Sequence, residues 1–441
     1  MNTNRGDIRR NLDWLTIFLY GFLVLLGWTA IYSAGYDAAH TGIFDMEAEH
    51  AKQLVWIGIC TLLAVVILNI EGEFFIRFSP ISYLLSLLLL IAVLFIGKKI
   101  GGARSWFGVG AFSIQPSEFA KTATALFLAW YVTRTGIKFN ALSTRLIAAI
   151  ILAIPAGLIL LQPDAGTVLV FSGFVLALYR EGLSGNILLA GFGAVVLAVV
   201  AILSGAAIID YPFYGEQSGI WTMMIVMLLF GILGVFFVRS FVLPRKRKRV
   251  FRILAFSLVG ALAFSYTTYV GIEQILQPHQ RERIYVLFGM EVSNPDADYN
   301  IRHAKAAIGS GGWFGKGYLN GPMTRYDFVP EQNTDFIFCT IGEEWGLFGS
   351  LIVVAMFVVL ILRLIHLAER QRSQFSRVYG YSVASILFMH MLINIGMVLG
   401  VAPVIGIPLP FFSYGGSSLM GFTILLFIMI RLDAERYSVF R

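Results

Sequence analysis

The sequence predicts an all-α polytopic membrane protein, and three observations carry that prediction. Of its 441 residues, 58% are hydrophobic and 13% charged, against roughly 25% charged in soluble domains. Apolar stretches recur about every 25 to 35 residues, many near the roughly 20 residues that cross hydrocarbon as a helix. Those stretches are continuous, whereas a membrane β-barrel needs strands of about 10 residues with alternating polarity. An ordinary soluble enzyme and a barrel are both excluded. Cys60 and Cys339 fall in separate apolar blocks, which excludes a disulfide framework and a cysteine metal site. Both read as small packing residues.

In chain order, spans are expected at 15–33, 54–70, 81–96, 118–133, 146–161, 166–180, 186–207, 219–238, 251–272, 336–364, 379–400 and 413–431, about twelve in all. The first follows Arg5, Arg9 and Arg10 and precedes Ser33-Ala34-Gly35. Its apolar region exceeds the roughly 7 to 15 residues of a signal peptide and further spans follow, so it reads as a retained anchor. With that N-terminus cytoplasmic, Arg134, Lys138, Arg145, Arg180, the basic run 245–249, Arg370, Arg372, Arg377 and Arg436 are cytoplasmic too. This meets the positive-inside rule and places both termini in the cytoplasm. The net charge of +7 therefore follows the membrane, and no nucleic-acid partner is expected. The run 245–249 reads first as a topogenic signal and second as an anionic-lipid contact.

Outward lie Asp45, Glu47 and Glu49, then Asp210 and Glu216, then residues 273–335, with Lys98, Lys99 and Arg104 as basic exceptions. Residues 1–441 read as one integral membrane domain, and 273–335 as an extracytoplasmic loop. A loop of that length in a compact protein is usually functional.

Polar groups gather at the outward helix ends in four clusters. The first runs from Gly101 to Trp106, with Arg104, and continues as Gln115-Pro116-Ser117-Glu118-Phe119-Ala120-Lys121. Ser117 suits an N-cap and Glu118 complements the helix start. Lys121 inside a span is costly and calls for a cavity or a partner. In the second, Gln162-Pro163-Asp164-Ala165-Gly166-Thr167, Asp164 reads as an N-cap unless it meets Lys121 or another cation.

The third cluster extends from Gln280 to Phe336. It contains Asp296, Asp298, Arg302, His303 and Lys305, the glycine segment Gly309 to Gly317 with Lys316, and Pro330-Glu331-Gln332-Asn333-Thr334-Asp335. The glycine segment fails the P-loop pattern, with Ser310 in place of the first glycine and Gly317 after the lysine, so a nucleotide site is not expected. Its backbone amides, with Lys316, Arg302 and Lys305, suit a lipid pyrophosphate. Asp296 and Asp298 are candidate bases, because activating a sugar hydroxyl requires a carboxylate that takes its proton. Thr334-Asp335 suits a helix cap. Glu343 and Glu344 sit about 13 Å deeper along the helix, and at least one must face a polar interior. The fourth cluster runs from Pro408 to Ser418; its glycines and serines allow close helix approach, and Ser413 and Tyr414 are placed to line a site.

These clusters, in this order, resemble the SEDS family (shape, elongation, division and sporulation) of cell-wall polymerases, with its RodA and FtsW branches. The resemblance covers nearly the whole chain. It rests on Gln115-Pro116-Ser117-Glu118 with Lys121, Gln162-Pro163-Asp164 with Gly166-Thr167, the glycine segment, Pro330-Glu331 with Thr334 to Phe338 and Glu343-Glu344, and Pro408 to Ser418. The string Gly315 to Gly321 is closer to the RodA, elongation branch. The resemblance implies a peptidoglycan glycosyltransferase that polymerises lipid II at the outer face of a bacterial cytoplasmic membrane and releases undecaprenyl pyrophosphate. An α-linked donor giving a β-linkage needs one general base and no covalent intermediate. Substrate-binding residues would be Arg104, Gln115, Glu118, Lys121, Asp164, Arg302, Lys316, Thr334, Asp335, Ser413 and Tyr414. A class B penicillin-binding protein transpeptidase and other elongation-complex membrane proteins would be the partners. No nucleotide or prosthetic group is implied, and a divalent cation, Mg or Mn, is left open as an aid to the leaving group.

The sequence departs from the family twice. The family has about ten spans, and residues 208–272 read as an inserted helical pair that preserves the topology of its flanks. The family's catalytic aspartate stands in an Asp-Pro pair before the tyrosine matching Tyr299, where this chain has Asn294-Pro295. Asparagine cannot be the base, so Asp296 is taken as the base, with Asp298 next. A disabled site acting as a scaffold for a transpeptidase, and a lipid II flippase, are the competing readings.

Overall fold

The computed structural model describes residues 11–36, 42–100, 103–109, 112–134, 141–211, 215–275, 281, 282, 285 and 296–437. The chain divides into two compact units, Met1–Leu183 with Asp298–Arg441, and Ser184–Ala297. Among the described residues, ten helices are long and apolar enough to cross a membrane.

In the first unit, α1 (Trp14–Ala34), α2 (Glu49–Asn69) and α3 (Gly72–Ile96) precede a small antiparallel sheet, β1 (Lys98–Ile100), β2 (Ala103–Val109) and β3 (Phe112–Ile114). Lys98 pairs with Trp106, and Arg104 lies opposite Lys99. The outward basic exceptions therefore sit on a hairpin. Then come α4 (Pro116–Val132), α5 (Leu142–Leu160), α6 (Ala165–Phe171) and α7 (Phe174–Arg180). The spans expected at 118–133 and 166–180 are thus helical but short, the second broken at Ser172-Gly173.

The second unit holds α8 (Gly185–Ala206), the hairpin β4 (Ile208–Tyr211) and β5 (Gly215–Ser218), α9 (Ile220–Phe241) and α10 (Pro244–Val270), which ends in a π turn. Ala201, Ile220 and Met223 form its buried centre. The run 245–249 lies inside α10 and not in a loop, because Pro244 at the first helical position starts the helix there.

Residues 273–335 contain more order than a loop: α11 (Asp296–Gly311), which belongs to the first unit from Asp298 onward, and α12 (Pro322–Arg325). In α11, Ile301, Ala304, Ala307 and Gly311 are buried, a stripe at helical spacing too small to register as an apolar run. The span expected at 336–364 is broken into α13 (Ile337–Glu344) and α14 (Gly346–Glu369). Gly346 makes that break at φ +66°, a conformation glycine adopts freely. The unit closes with α15 (Gln374–Val398) and α16 (Gly416–Ala434), the most enclosed of its long helices. Helix α16 packs on α2, and α15 packs on α4, α7 and α14.

At the α16 C-terminal end, Asp433 is fully buried and accepts from Arg370 Nε at 2.8 Å and Gln371 Nε2 at 2.7 Å. Neighbouring Asp13 caps α1 through Thr16 N at 3.2 Å and accepts from Arg363. Burial pushes the Asp13 carboxyl up, but the hydrogen bonds from Arg363 and Thr16 outweigh it and hold the pKa below the usual value. Replacing Asp433 with alanine strands the Arg370 and Gln371 donors, and the expected loss is about 3 kcal/mol in thermal unfolding. A loss below about 1 kcal/mol contradicts this.

Candidate active site

Helix α4 begins at Pro116, with Gln115 as N-cap in extended backbone. This corrects the expected Ser117 cap: proline, with its φ preset for a helix, takes the first helical position, so Ser117 lies buried in the first turn. The Gln115 side chain donates to Asp164 Oδ2 at 3.0 Å. Asp164 caps α6 as expected, accepting from Thr167 N at 2.9 Å and Thr167 Oγ1 at 2.8 Å.

One turn into α4, Lys121 Nζ donates to Glu118 Oε2 at 2.9 Å and lies 2.8 Å from His390 Nε2. All three side chains are at most 3% exposed. His390 Nδ1 stands 3.2 Å from the Pro408 carbonyl, so a proton on Nδ1 satisfies both contacts and leaves Nε2 to accept from the ammonium. The Phe422 ring, 4.5 Å from Nζ, covers the pair. Thus Lys121 meets Glu118 and His390, and Asp164 meets Gln115. Lys121→Met removes the only cation facing Glu118 in this contact set, and its expected cost is about 3–5 kcal/mol. Lys121→Arg, which keeps charge but not shape, should recover only part of the unfolding midpoint; full stability in Lys121→Met refutes the assignment.

The glycine segment is held against α13. Lys316 N donates to Glu343 O and Gly317 N to Glu344 O, each at 3.0 Å. A Cβ on Gly311 would stand 2.0 Å from Gly342 O, and one on Gly315 2.0 Å from Glu344 O. Only glycine permits this approach. Lys316 Nζ lies 3.1 Å from Glu343 Oε1 and 2.7 Å from Ser310 Oγ. Glu343 also accepts from Met323 N at 3.0 Å, and from Thr324 N and Oγ1 at 2.8 and 2.7 Å. Glu344 accepts from Ser33 and from Leu319 N. At least one glutamate was expected to face a polar interior, and both do.

The Thr334-Asp335 pair does not cap α13. Its N-cap is Phe336, without a side-chain bond, and Thr334 Oγ1 turns back to Glu331. The pair instead joins the fourth cluster: Ser413 Oγ donates to Thr334 O at 2.6 Å, and Asn394 Nδ2 to Asp335 O at 2.8 Å and Ile407 O at 2.7 Å. Tyr414 N donates to Asn333 O at 2.8 Å, while Asn333 Nδ2 reaches Glu49 Oε2 at 2.7 Å. Burial and the Glu49 charge push the Tyr414 phenol up. Ser413 Oγ also accepts from Leu409 N at 2.8 Å. A short path of contacts therefore runs from Lys121 through His390, Pro408-Leu409 and Ser413 to Thr334. Gly166 backs onto the Ile405 carbonyl, which brings in the second cluster.

Arg104 is exposed on β2 and reaches Leu94 O at 3.4 Å; Arg302 is exposed on α11. Asp296 and Asp298 open α11, and their side chains lie outside those described, as do residues 294 and 295. Among the described residues no group of three or more His, Cys, Asp or Glu converges to hold a metal ion, so no step is derived through one. The sequence singled out neither His390, Asn394 nor Ser33, and it held Asn333 only as a member of the third cluster. For His390 and Asn394 the signal was present, since polar side chains four residues apart inside a span mark an interior face. Ser33 carried none.

The model of the cell cycle protein family of FtsW, RodA and SpoVE matches residues 13–211 and 258–438. The chain belongs to this family. Among FtsW/RodA/SpoVE relatives, the peptidoglycan glycosyltransferase RodA of Treponema pallidum is 30% identical over 97% of this chain and 98% of its own. The peptidoglycan glycosyltransferase MrdB of Escherichia coli K12 is 31% identical over 92% and 87%. A chain from a peptidoglycan synthase complex that coordinates polymerization and crosslinking superposes with a TM-score of 0.66 at 26% identity, covering 97% and 99%. The rod shape determining protein RodA of Thermus thermophilus shares the fold, with a TM-score of 0.60 at 24% identity over 97% and 98%. This is a multi-pass membrane protein of the same architecture.

Proposed function

We propose that this chain is a peptidoglycan glycosyltransferase that joins lipid II units into glycan strands during cell elongation. One observation supports the reading most: polar clusters distant in sequence are wired together at one end of an apolar helix bundle, where a lipid-linked sugar can be met. The reading places that end at the outer face of the cytoplasmic membrane and both termini in the cytoplasm, in keeping with the distribution of arginine and lysine. A 4-hydroxyl of incoming lipid II attacks the anomeric carbon of the growing strand's sugar. Its proton passes to Asp296, and the pyrophosphate leaves with the electron pair of the broken bond. Lys121 and Lys316 face Glu118 and Glu343, and Arg104 and Arg302, both exposed, are the cations this reading assigns to the leaving group. Residues 208–272 are read as an inserted pair, and 273–335 as the catalytic segment, with α11 carrying the base. The partner is a class B penicillin-binding protein transpeptidase.

The test is lipid II polymerisation by the purified protein in complex with that transpeptidase, its crosslinking serine inactivated. Glycan strands are the expected product. A folded complex that makes no polymer overturns the reading, and lipid II movement in proteoliposomes then decides for the flippase.

A further inference from the structure

The second unit contains a feature that the proposed reaction does not use. From Gln217 to Ile272 the chain has no acidic residue, yet it carries Arg239, the run 245–249 and Arg252. Helix α10 begins at Pro244 and is 27 residues long, about 40 Å at 1.5 Å per residue. That exceeds the hydrocarbon thickness of about 30 Å, and its first turns are the polar ones, so they stand in the headgroup layer. Arg245, Arg249, Arg252 and Phe256 follow one another at spacings of four, three and four, forming a single stripe that passes from charge to aromatic. Arg249, Arg252, Ile253, Phe256 and Ser257 line a shallow, open depression along one face of the helix. All five are exposed.

We infer that this face of α10 holds one anionic phospholipid, its phosphate between Arg249 and Arg252 and the first methylenes of an acyl chain along Ile253 and Phe256. Two guanidinium groups supply bidentate donors for phosphate oxygens, and the side chains directly below them are apolar where the acyl chain must run. A topogenic role needs only positive charge in the hairpin. It does not call for two arginines one turn apart above an apolar floor, so the arrangement favours a bound lipid.

The probe is the full-length protein in vesicles of phosphatidylcholine with 20% phosphatidylglycerol, an amount set on the order of natural anionic content, followed by native mass spectrometry after detergent extraction. Retained phosphatidylglycerol is expected on the wild type. Arg249→Gln with Arg252→Gln should lower its retention about tenfold or more, from roughly fivefold per cation, while Lys246→Gln with Lys248→Gln lowers it less than about threefold. Phe256→Ala should weaken retention without changing charge. Equal retention of phosphatidylcholine, equal loss in the two double variants, or no loss in either overturns the inference. Since the substituted side chains are exposed, folding is checked by thermal unfolding; if the double variant unfolds, Arg249→Lys alone carries the test, with reduced retention expected and unchanged retention counting against the site.

Discussion

Asp296→Ala is expected to reduce glycan formation about 10²- to 10⁴-fold, the range for removing a general base, with the protein still folded and bound to its transpeptidase. The acceptor hydroxyl is far too weak an acid to attack in its neutral form without a proton acceptor placed at the moment of bond formation. Position 294 holds asparagine, whose amide cannot accept that proton. Asp296 is the first residue of α11 and the nearest carboxylate after it. Asp298→Ala is expected to stay within about threefold of wild type, and Asn294→Asp to give no large gain. Loss confined to Asp298→Ala transfers the role to that residue. If wild type is inactive and Asn294→Asp makes polymer, the site is a disabled one and the scaffold reading replaces the enzyme.

Glu343→Ala is expected to be the most damaging substitution for folding. The carboxylate is 0% exposed and receives Met323 N, Thr324 N, Thr324 Oγ1 and Lys316 Nζ. Its removal leaves Met323 N, Thr324 N and Thr324 Oγ1 without their acceptor and Lys316 without its counter-charge. Each stranded buried donor costs about 1–3 kcal/mol, and an uncompensated buried charge pair about 3–5 kcal/mol. A fall in the unfolding midpoint on the order of 10 °C follows, measured by intrinsic fluorescence in detergent. Glu343→Gln keeps one acceptor oxygen but turns an amide toward donors, so it should fall between. Glu331→Ala, at an exposed position, should be near neutral, and a similar drop there removes the special status of Glu343.

The spans were legible because continuous apolar stretches of membrane length have few other meanings. Lys121, Glu343 and Glu344 stood out for the complementary reason, that a charge among apolar residues requires a partner. Which partner could not be read. His390 meets Lys121 across 269 positions of sequence, and a pairing that long leaves no local spacing. The caps misread at Ser117 and Thr334 failed through competition: Pro116 set the helix start two residues earlier, and Thr334 turned to Glu331. Helix α11 was missed because, after Ile301, its buried stripe is built from alanine and glycine, which pack without being strongly apolar. The clusters, by contrast, were legible as strings but not as one assembly, since Ser413 to Thr334 and Asn394 to Asp335 run side chain to backbone and depend on tertiary approach.

The glycine contacts beneath α11 leave its seat no slack. At Gly311 backbone touches the Gly342 carbonyl with no side chain between to yield, and Ile301, Ala304 and Ala307 are buried along the same helix. One added methyl at Gly311 must therefore move backbone against backbone, so Gly311→Ala is expected to displace the helix and not merely a rotamer. On the proposal that α11 carries the base, that displacement is expected to lower turnover.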